Sequence, residues 1–353
     1  DERPDYDDGY YYPGYGRTQG APTDAEGHPV YHTVPESYET AATDGERWRW
    51  LLEEARRVQP GLDAAIRYVI AEFAWQEFGV QTMASYGRFG RQSSAEDETD
   101  DESGAFAVHT LKDAETIARL ASGVKRFELP DDFQYINIYK ALAEQQTGYS
   151  QNALEKLATI YENRRQYPMA ATYWREMIKR HGKGPQERYQ KRLDQIVEPW
   201  ARFEPVVSQA AGHGATVDFR YRNGHRVHLT AQSIDIEQLL SDVRHYIESN
   251  PRKLDWNKIN IGNIGYRLLE QNQGKYLKEK VADWSLKLDP RAGHVDRLLT
   301  VATPLQDAGA YFLTARMKGG NTSHIIIWVS DTVIVQKPLD KGALFFVADA
   351  RTG

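Results

Sequence analysis

Between residues 44 and 198 apolar positions recur every three to four residues, the period of a helix burying one face. From 201 onward they alternate, the period of a half-buried strand. Thr43 or Asp44 can cap a first helix running through Val58, with Trp48, Leu51, Leu52 and Ala55 on one stripe. A second is expected over 61–78, where Ala65, Ile66, Val69, Ile70, Phe73 and Trp75 are apolar and Gly79 suits the position just past the C-terminus. Further helices are expected at 110–122, 133–147, 150–164, 168–181 and 185–198, the last opening on Pro185, a favourable first-turn residue. The connections are short, so successive helices should pack as antiparallel neighbours.

The alternating half opens with 216–222, followed by Asn223-Gly224, a strong hairpin signal because both turn positions need positive φ, and a return strand at 226–231. Later strands are expected at 281–288, 297–302, 309–317, 323–336 and 343–348, with Gly319-Gly320-Asn321 turning between two of them. Residues 236–247 break this pattern with a helical period, so that helix and the linker to 280 form an insertion between strands. Phe219, Tyr221, Val227, Leu229, Tyr311, Leu313, Ile325, Ile327 and Val329 are the candidate core, with His324 and Ser330 pointing outward from a half-solvated sheet. The fold class expected is α+β in separate domains, helical hairpins followed by an antiparallel β-sandwich with a helical insertion.

Two stretches carry neither period. Residues 1–35 are rich in Tyr, Gly, Pro and Asp and read as a disordered tail; a tyrosine-based binding motif is the sharper alternative, and nothing in the residues supports it. Residues 92–104 carry Glu96-Asp97-Glu98 and Asp100-Asp101-Glu102 without a large apolar residue and read as a solvated loop. They lack the alternating oxygen ligands and turn glycine of a calcium loop. The organisation expected is therefore a tail at 1–35, a helical region at 36–200 containing the acidic loop, a sandwich at 201–338, and the start of another domain at 339–353.

Length and composition narrow the function. At 353 residues the chain is too long for one ordinary core, and a net charge of −6 shows no basic excess for nucleic acid. No run of ~18 apolar residues is present to span a bilayer. Cysteine is absent, which removes disulfides, thiolate zinc sites and cysteine nucleophiles together. A start at Asp1 and a stop just after the apolar run 343–347 lead to the expectation of a segment cut from a longer chain.

No catalytic motif stands out in the sequence. Gly212-His213-Gly214 enters a strand rather than a helix and fails the dinucleotide context. His213, His225 and His228 cluster near the first hairpin, but the last two are three apart and should point to opposite faces, which argues against a metal site. Asn321-Thr322-Ser323 is a glycosylation sequon whose place in a tight turn explains its residues without a glycan. No catalytic, cofactor-binding or metal-ligating residue is assigned, no cofactor is expected, and the chain is expected not to be an enzyme.

Two resemblances enter here. Residues 153–185 resemble a tetratricopeptide repeat, with Leu157 and Ala158 as the paired first-helix positions, Tyr161 as that helix's aromatic, Ala170 at the close crossing, Trp174 in the second aromatic slot and Pro185 closing the unit. Residues 134–147 offer a weak second copy with Tyr139, Ala141 and Ala143. A docking groove for a protein or peptide is one reading of this region; a spacer that only packs on its neighbours is the other. The face that would hold an acidic peptide carries Asn152, Lys156 and Thr159 but also Glu155 and Glu162, an incomplete clamp.

The second resemblance covers 205–353. Residues 219–223, 227–231 and Ile234-Asp235 with Leu239-Leu240, then Thr303-Pro304-Leu305 leading into 309–315, resemble the opening β-sandwich of bacterial α2-macroglobulin-like proteins, and the helical, tetratricopeptide-like preamble resembles that of large planctomycete-type members. Residues 327–332 and 345–353 look like the strand linking one macroglobulin domain to the next. The resemblance implies a scaffold segment of a protease-trapping endopeptidase inhibitor, extracytoplasmic, whose partners are the rest of its own chain and proteases captured by the whole protein. The family's thioester needs a cysteine, so it cannot reside here. The alternative is a helical-repeat adaptor for protein–protein interaction fused to a generic β-sandwich.

Overall fold

The computed structural model describes residues 20–83, 107–145, 147–260, 264–269 and 274–353. The loop expected at 92–104 and residues 1–19 of the expected tail lie outside them. The chain divides into two units, Asp1–Ile196 and Val197–Gly353.

In the first unit, Thr43 has extended backbone and accepts the Glu46 amide at 3.2 Å, starting α1 at Asp44–Val58. The stripe expected on α1 is not the buried one. Leu51 is exposed, and the buried residue is Arg49. Its guanidinium lies 5.2 Å from the centre of the Phe133 ring and 2.8 Å from Asp132, so a cation–π contact and an ion pair orient the helix. Helix α2, Asp63–Phe78, buries Ile66, Ile70, Ala71, Ala74 and Phe78. Gly79 ends it in an extended rather than a left-handed conformation, and what requires glycine there is space: a Cβ would meet the Trp75 carbonyl at 2.5 Å.

The helix expected at 110–122 is instead a β-hairpin, β1 at Glu115–Leu120 and β2 at Gly123–Glu128. Gly123, at φ +116°, supplies the turn. Thr116, Ile117 and Ala118 are all buried, and the Thr116 hydroxyl donates to the Phe78 carbonyl at 2.5 Å, taking up an open acceptor at the end of α2. Three successive buried residues suit a short strand covered on both faces, which a helical count of apolar spacing misreads.

The stretch 20–35, expected inside the disordered tail, docks on this hairpin. Ala21 donates to the Arg119 carbonyl at 3.0 Å and accepts from Ala121 at 2.8 Å, while the carbonyl of Gly27 accepts from Ser122 and Lys125. Tyr31 packs 5.4 Å from Phe78 and 5.2 Å from Phe133, and burial pushes its hydroxyl pKa up to about 12. Composition missed this because the anchors are backbone hydrogen bonds and one aromatic ring.

Four helices complete the unit: α3 at Tyr135–Glu144, α4 at Ser150–Asn163, α5 at Tyr167–His181 and α6 at Arg188–Val197. Pro185–Glu187 forms a separate single turn before α6, because Gln186 and Glu187 take positive φ. Three residues join α4 to α5, with Arg165 left-handed at φ 54°. Leu157, Ala158, Tyr161, Ala170 and Trp174 are all buried.

The second unit is built on β3 at Trp200–Phe203, β4 at Gln209–Ala210, β5 at Thr216–Arg222 and β6 at Arg226–Ile234, followed by α7 at Ile236–Glu248 and the short helices α8 at Trp256–Ile259 and α9 at Ile264–Leu269. Then come β7 at Leu277–Lys287, β8 at Arg297–Ala302, β9 at Gly309–Met317, β10 at Thr322–Ser330, β11 at Thr332–Leu339 and β12 at Gly342–Asp349. One sheet runs β3-β5-β8 and another β4-β10-β9-β6-β7, with β4 parallel to β10; β11 and β12 pair only with each other.

The expected Asn223-Gly224 hairpin is not one. β5 belongs to the three-stranded sheet and β6 to the five-stranded sheet, so this turn carries the chain from one sheet to the other. Asn223 is left-handed at φ 57° and Gly224 is not; glycine is required there because a Cβ would meet the Met317 sulfur at 2.2 Å. The strand expected over 323–336 is broken at Asp331, and the division expected at 338/339 falls inside β11.

Side chains of both sheets share one core. It contains Phe219, Tyr221, Val227, Leu229, Tyr311, Leu313, Ile327 and Val329, with Ile325 packed partly buried against it. The other face of β9 and β10 is not simply solvated. Ala310 and Phe312 are buried there with Leu239, Ile264, Leu268 and Tyr276 of the helical insertion, and Ile326 and Trp328 pack against them. His324 is half-buried on this face, stacked on Phe312 at 5.1 Å and bonded to Thr314 at 3.0 Å. Burial, with Arg316 nearby, lowers its pKa.

Candidate functional site

The α4 face that sequence offers for peptide docking is tied to its own unit. The Lys156 ammonium lies 2.9 Å from the Glu72 carboxylate and 3.9 Å from the centre of the Trp75 ring. Glu155 pairs with Arg188 at 2.8 Å, and Thr159 donates to the Glu155 carbonyl at 2.9 Å. Glu162 is buried, accepts the Trp174 indole N–H and pairs with Arg192. Asn152 alone of the five is exposed. A clamp needs a cation held ready for an incoming carboxylate, and Lys156 already has one.

Behind this face lies a second matched set. Asp113 accepts the Tyr161 hydroxyl at 2.6 Å and the Lys140 ammonium at 2.5 Å. Burial pushes its carboxyl up, and these two donors outweigh that and hold it below the usual carboxylate range. Tyr139 donates to Glu72 at 3.0 Å, and burial followed by that carboxylate keeps its hydroxyl protonated. Arg164 is fully buried and donates to the carbonyls of Lys112 and Glu115 and to the Tyr135 hydroxyl. Glu72 and Asp113 each face donors from other elements of the unit, an arrangement that positions the helices.

The three histidines do not converge on a ligand. His213 and His225 are exposed, while His228, on β6, faces Ser285 at 3.3 Å and Asp283 at 3.2 Å on β7. Among the described residues no group of three His, Asp or Glu is placed to hold a metal. Gly212 and Gly214 take positive φ, and the loop they shape donates from Gly212 to the Gln306 carbonyl and from Ala215 to Leu305. The Asn321 side chain accepts from the Ala201 amide and donates to the Ala201 carbonyl, both at 2.8 Å, so the sequon amide serves as a backbone partner for β3.

Two apolar surfaces stand open among the described residues. The first is the β11–β12 hairpin, on which Val333, Ile334, Val335, Leu339, Leu344, Phe345, Phe346 and Val347 are between 44% and 63% exposed. Directly paired residues share a face, so Val335 with Phe346 lies on one side and Ile334 with Val347 on the other; both faces are apolar.

The second is the insertion. Asp235 caps α7 by accepting the Gln238 amide at 3.0 Å, and Leu239 and Val243 face inward. Asp242 pairs with Lys275 and accepts the Tyr276 hydroxyl at 2.8 Å; those bonds draw its pKa down to about 2. The Tyr246 hydroxyl accepts the Asp255 amide at 2.8 Å, folding the following loop back beside α7, and Lys258 lies 5.0 Å from the Tyr246 ring centre. Leu240, Ile247, Leu254 and Trp256 are left in water. The turn residues Ser249-Asn250-Pro251 ahead of an isolated Trp were the available signal for this lobe.

No protein-family model and no curated protein matches the sequence. Among solved structures, the chain is similar to native α2-macroglobulin from Escherichia coli in a crystal structure spanning domains MG0-NIE-MG1, at 16% identity and a TM-score of 0.30, covering 44% of this chain and 47% of that one. A crystal structure spanning NIE-MG1 gives 13% identity and a TM-score of 0.29, covering 44% and 72%. A cryo-EM reconstruction of the native conformation gives 12% and 0.27, covering 43% of this chain and 9% of that one. The chain thus spans less than half of the first of these structures.

Proposed function

We propose that this chain is a non-catalytic scaffold segment of an α2-macroglobulin-like protease-trapping protein, acting outside the cytoplasm. On this reading, β3–β10 form a macroglobulin-type sandwich, the helices of the first unit are a tetratricopeptide-like preamble, and β11–β12 open the next macroglobulin domain. One observation carries it: the strands whose residues resemble the family, 219–223, 227–231 and 309–315, supply facing side chains to a single core in the second unit. A hairpin apolar on both faces then leaves that core, as a strand pair awaiting cover does. The network of matched acids and donors in the first unit supports a spacer over a peptide-docking groove.

In trapping, such a segment holds other domains at fixed distances and contributes no reacting group. The test sets this chain and a longer polypeptide containing it against one broad-specificity protease, assayed on a protein substrate and a short peptide. The longer polypeptide is expected to shield the protease from the protein substrate while sparing the peptide, and this chain alone to do neither. Inhibition of both substrates by this chain alone, or hydrolytic turnover removed by one substitution in it, would overturn the reading.

A further inference from the structure

We propose that the helical insertion of the second unit docks on an anionic lipid bilayer surface. The observation is an apolar set left in water: Leu240 and Ile247 on one stripe of α7, then Leu254 and Trp256 just after it, with Trp256 71% exposed. An indole exposed to that extent forgoes the hydrophobic free energy that burial would supply. Trp is also the side chain best suited to a bilayer interface, with an apolar body and one N–H to leave among headgroups.

Charge decides the partner. Residues 249–260 carry Arg252, Lys253 and Lys258 against Asp255, so the stretch bearing Trp256 is positive in a chain whose net charge is −6. Arg244 on α7 adds a cation, and Glu237 and Glu248 are the exposed acids of that helix. On 249–260, Leu254 and Trp256 lie beside Arg252, Lys253 and Lys258, a mix that matches the boundary between acyl chains and phosphates, where long cationic side chains reach outward while their stems stay apolar. The Tyr246 hydroxyl, held by the Asp255 amide, fixes the loop that presents Leu254 and Trp256.

The probe is cosedimentation of the 353-residue chain with vesicles of phosphatidylcholine alone and of phosphatidylcholine with phosphatidylglycerol. Binding is expected only to the anionic vesicles, and to fall as salt rises. Trp256→Ala should weaken it about tenfold, the loss of one exposed aromatic's burial. Lys253→Glu with Lys258→Glu should weaken it at least thirtyfold, on the order of fivefold for each cation at the surface. Both variants change exposed side chains, and an unaltered thermal melt confirms that they fold. Equal binding to both vesicle types, binding indifferent to Trp256→Ala, or none to either overturns the proposal. So does binding lost only on Phe346→Lys, which places the contact on the β11–β12 hairpin. A photo-crosslinker at position 256 that captures a protein in extract, without vesicle binding, assigns the lobe to a protein partner and overturns it equally.

Discussion

Arg164 shows how much of the first unit hangs on one side chain. Its guanidinium reaches the Lys112 carbonyl at 2.9 Å, the Glu115 carbonyl at 2.8 Å and the Tyr135 hydroxyl at 2.9 Å, linking α4 to the approach to β1 and to α3. Arg164→Ala should destabilise the unit by about 3 kcal/mol, because buried carbonyls lose their donors and water cannot replace them. Arg164→Lys should recover little, since an ammonium lacks the planar fork that meets several acceptors at once. Arg175→Ala, at an exposed position, is the control, and denaturant midpoints read all three. A second residue makes a pH statement. Asp242 is held at about 2 by its bonds to Lys275 and Tyr276, below the ordinary value near 3.9. The folded state therefore takes up its proton later than the unfolded chain, and the stabilisation is present above about pH 4 and lost as pH falls towards 2. Asp242→Asn should flatten the acid limb of the stability profile over that window, leaving the neutral-pH value lower than in the parent.

At the scale of elements, α4 and α5 owe their contact to small residues. Ala158 and Ala170 are fully buried, and the rings of Tyr161 and Tyr173 stack 5.5 Å apart between the same helices. Ala170→Trp should overpack this crossing at a cost of ~1–3 kcal/mol, seen as a lower melting temperature of the first unit; an unchanged melt would mean the position has room that the structure denies it. The β11–β12 hairpin is the opposite case, a pair of strands with no third strand and no layer on either face among the described residues. Amides within it should exchange with solvent much faster than those of β6 and β9, which are paired on both sides. Slow exchange in the hairpin would show that something in solution covers it. Asn223-Gly224 was legible as a turn, but which sheet each strand joins depends on β3 and β8 pairing with β5 while β7 and β9 pair with β6. Those partners are as far away as Met317 is from Val227, and no local signal encodes them.

At the scale of the whole molecule, the two units each hold their own buried core. Residues 197–353 produced alone should melt cooperatively, because the core shared by the two sheets lies entirely within that stretch. A broad, non-cooperative transition would show that the unit depends on the helical half. The change from a helical to an alternating period falls near residue 200, the two units meet at Ile196/Val197, and seven of the eight expected helices and most of the strands follow their periods closely. Period suffices where an element buries one face and leaves the other in water, as α3, α5, β5 and β6 do, because the pattern is then imposed by the element's own geometry. It fails at β1, buried on both faces, and along 20–35, whose anchors are backbone hydrogen bonds that any side chain permits. For the candidate sites, the sequence by itself determined the absence of cysteine chemistry and the positions of the lysines, acids and histidines. Only the tertiary structure decided that Lys156 is already matched by Glu72, that Asn321 is spent on Ala201, and that Trp256 and the β11–β12 hairpin stand in water. The reason is physical: whether a side chain is engaged or available depends on partners brought from distant parts of the chain, and burial is a property of the assembled fold rather than of any residue in it.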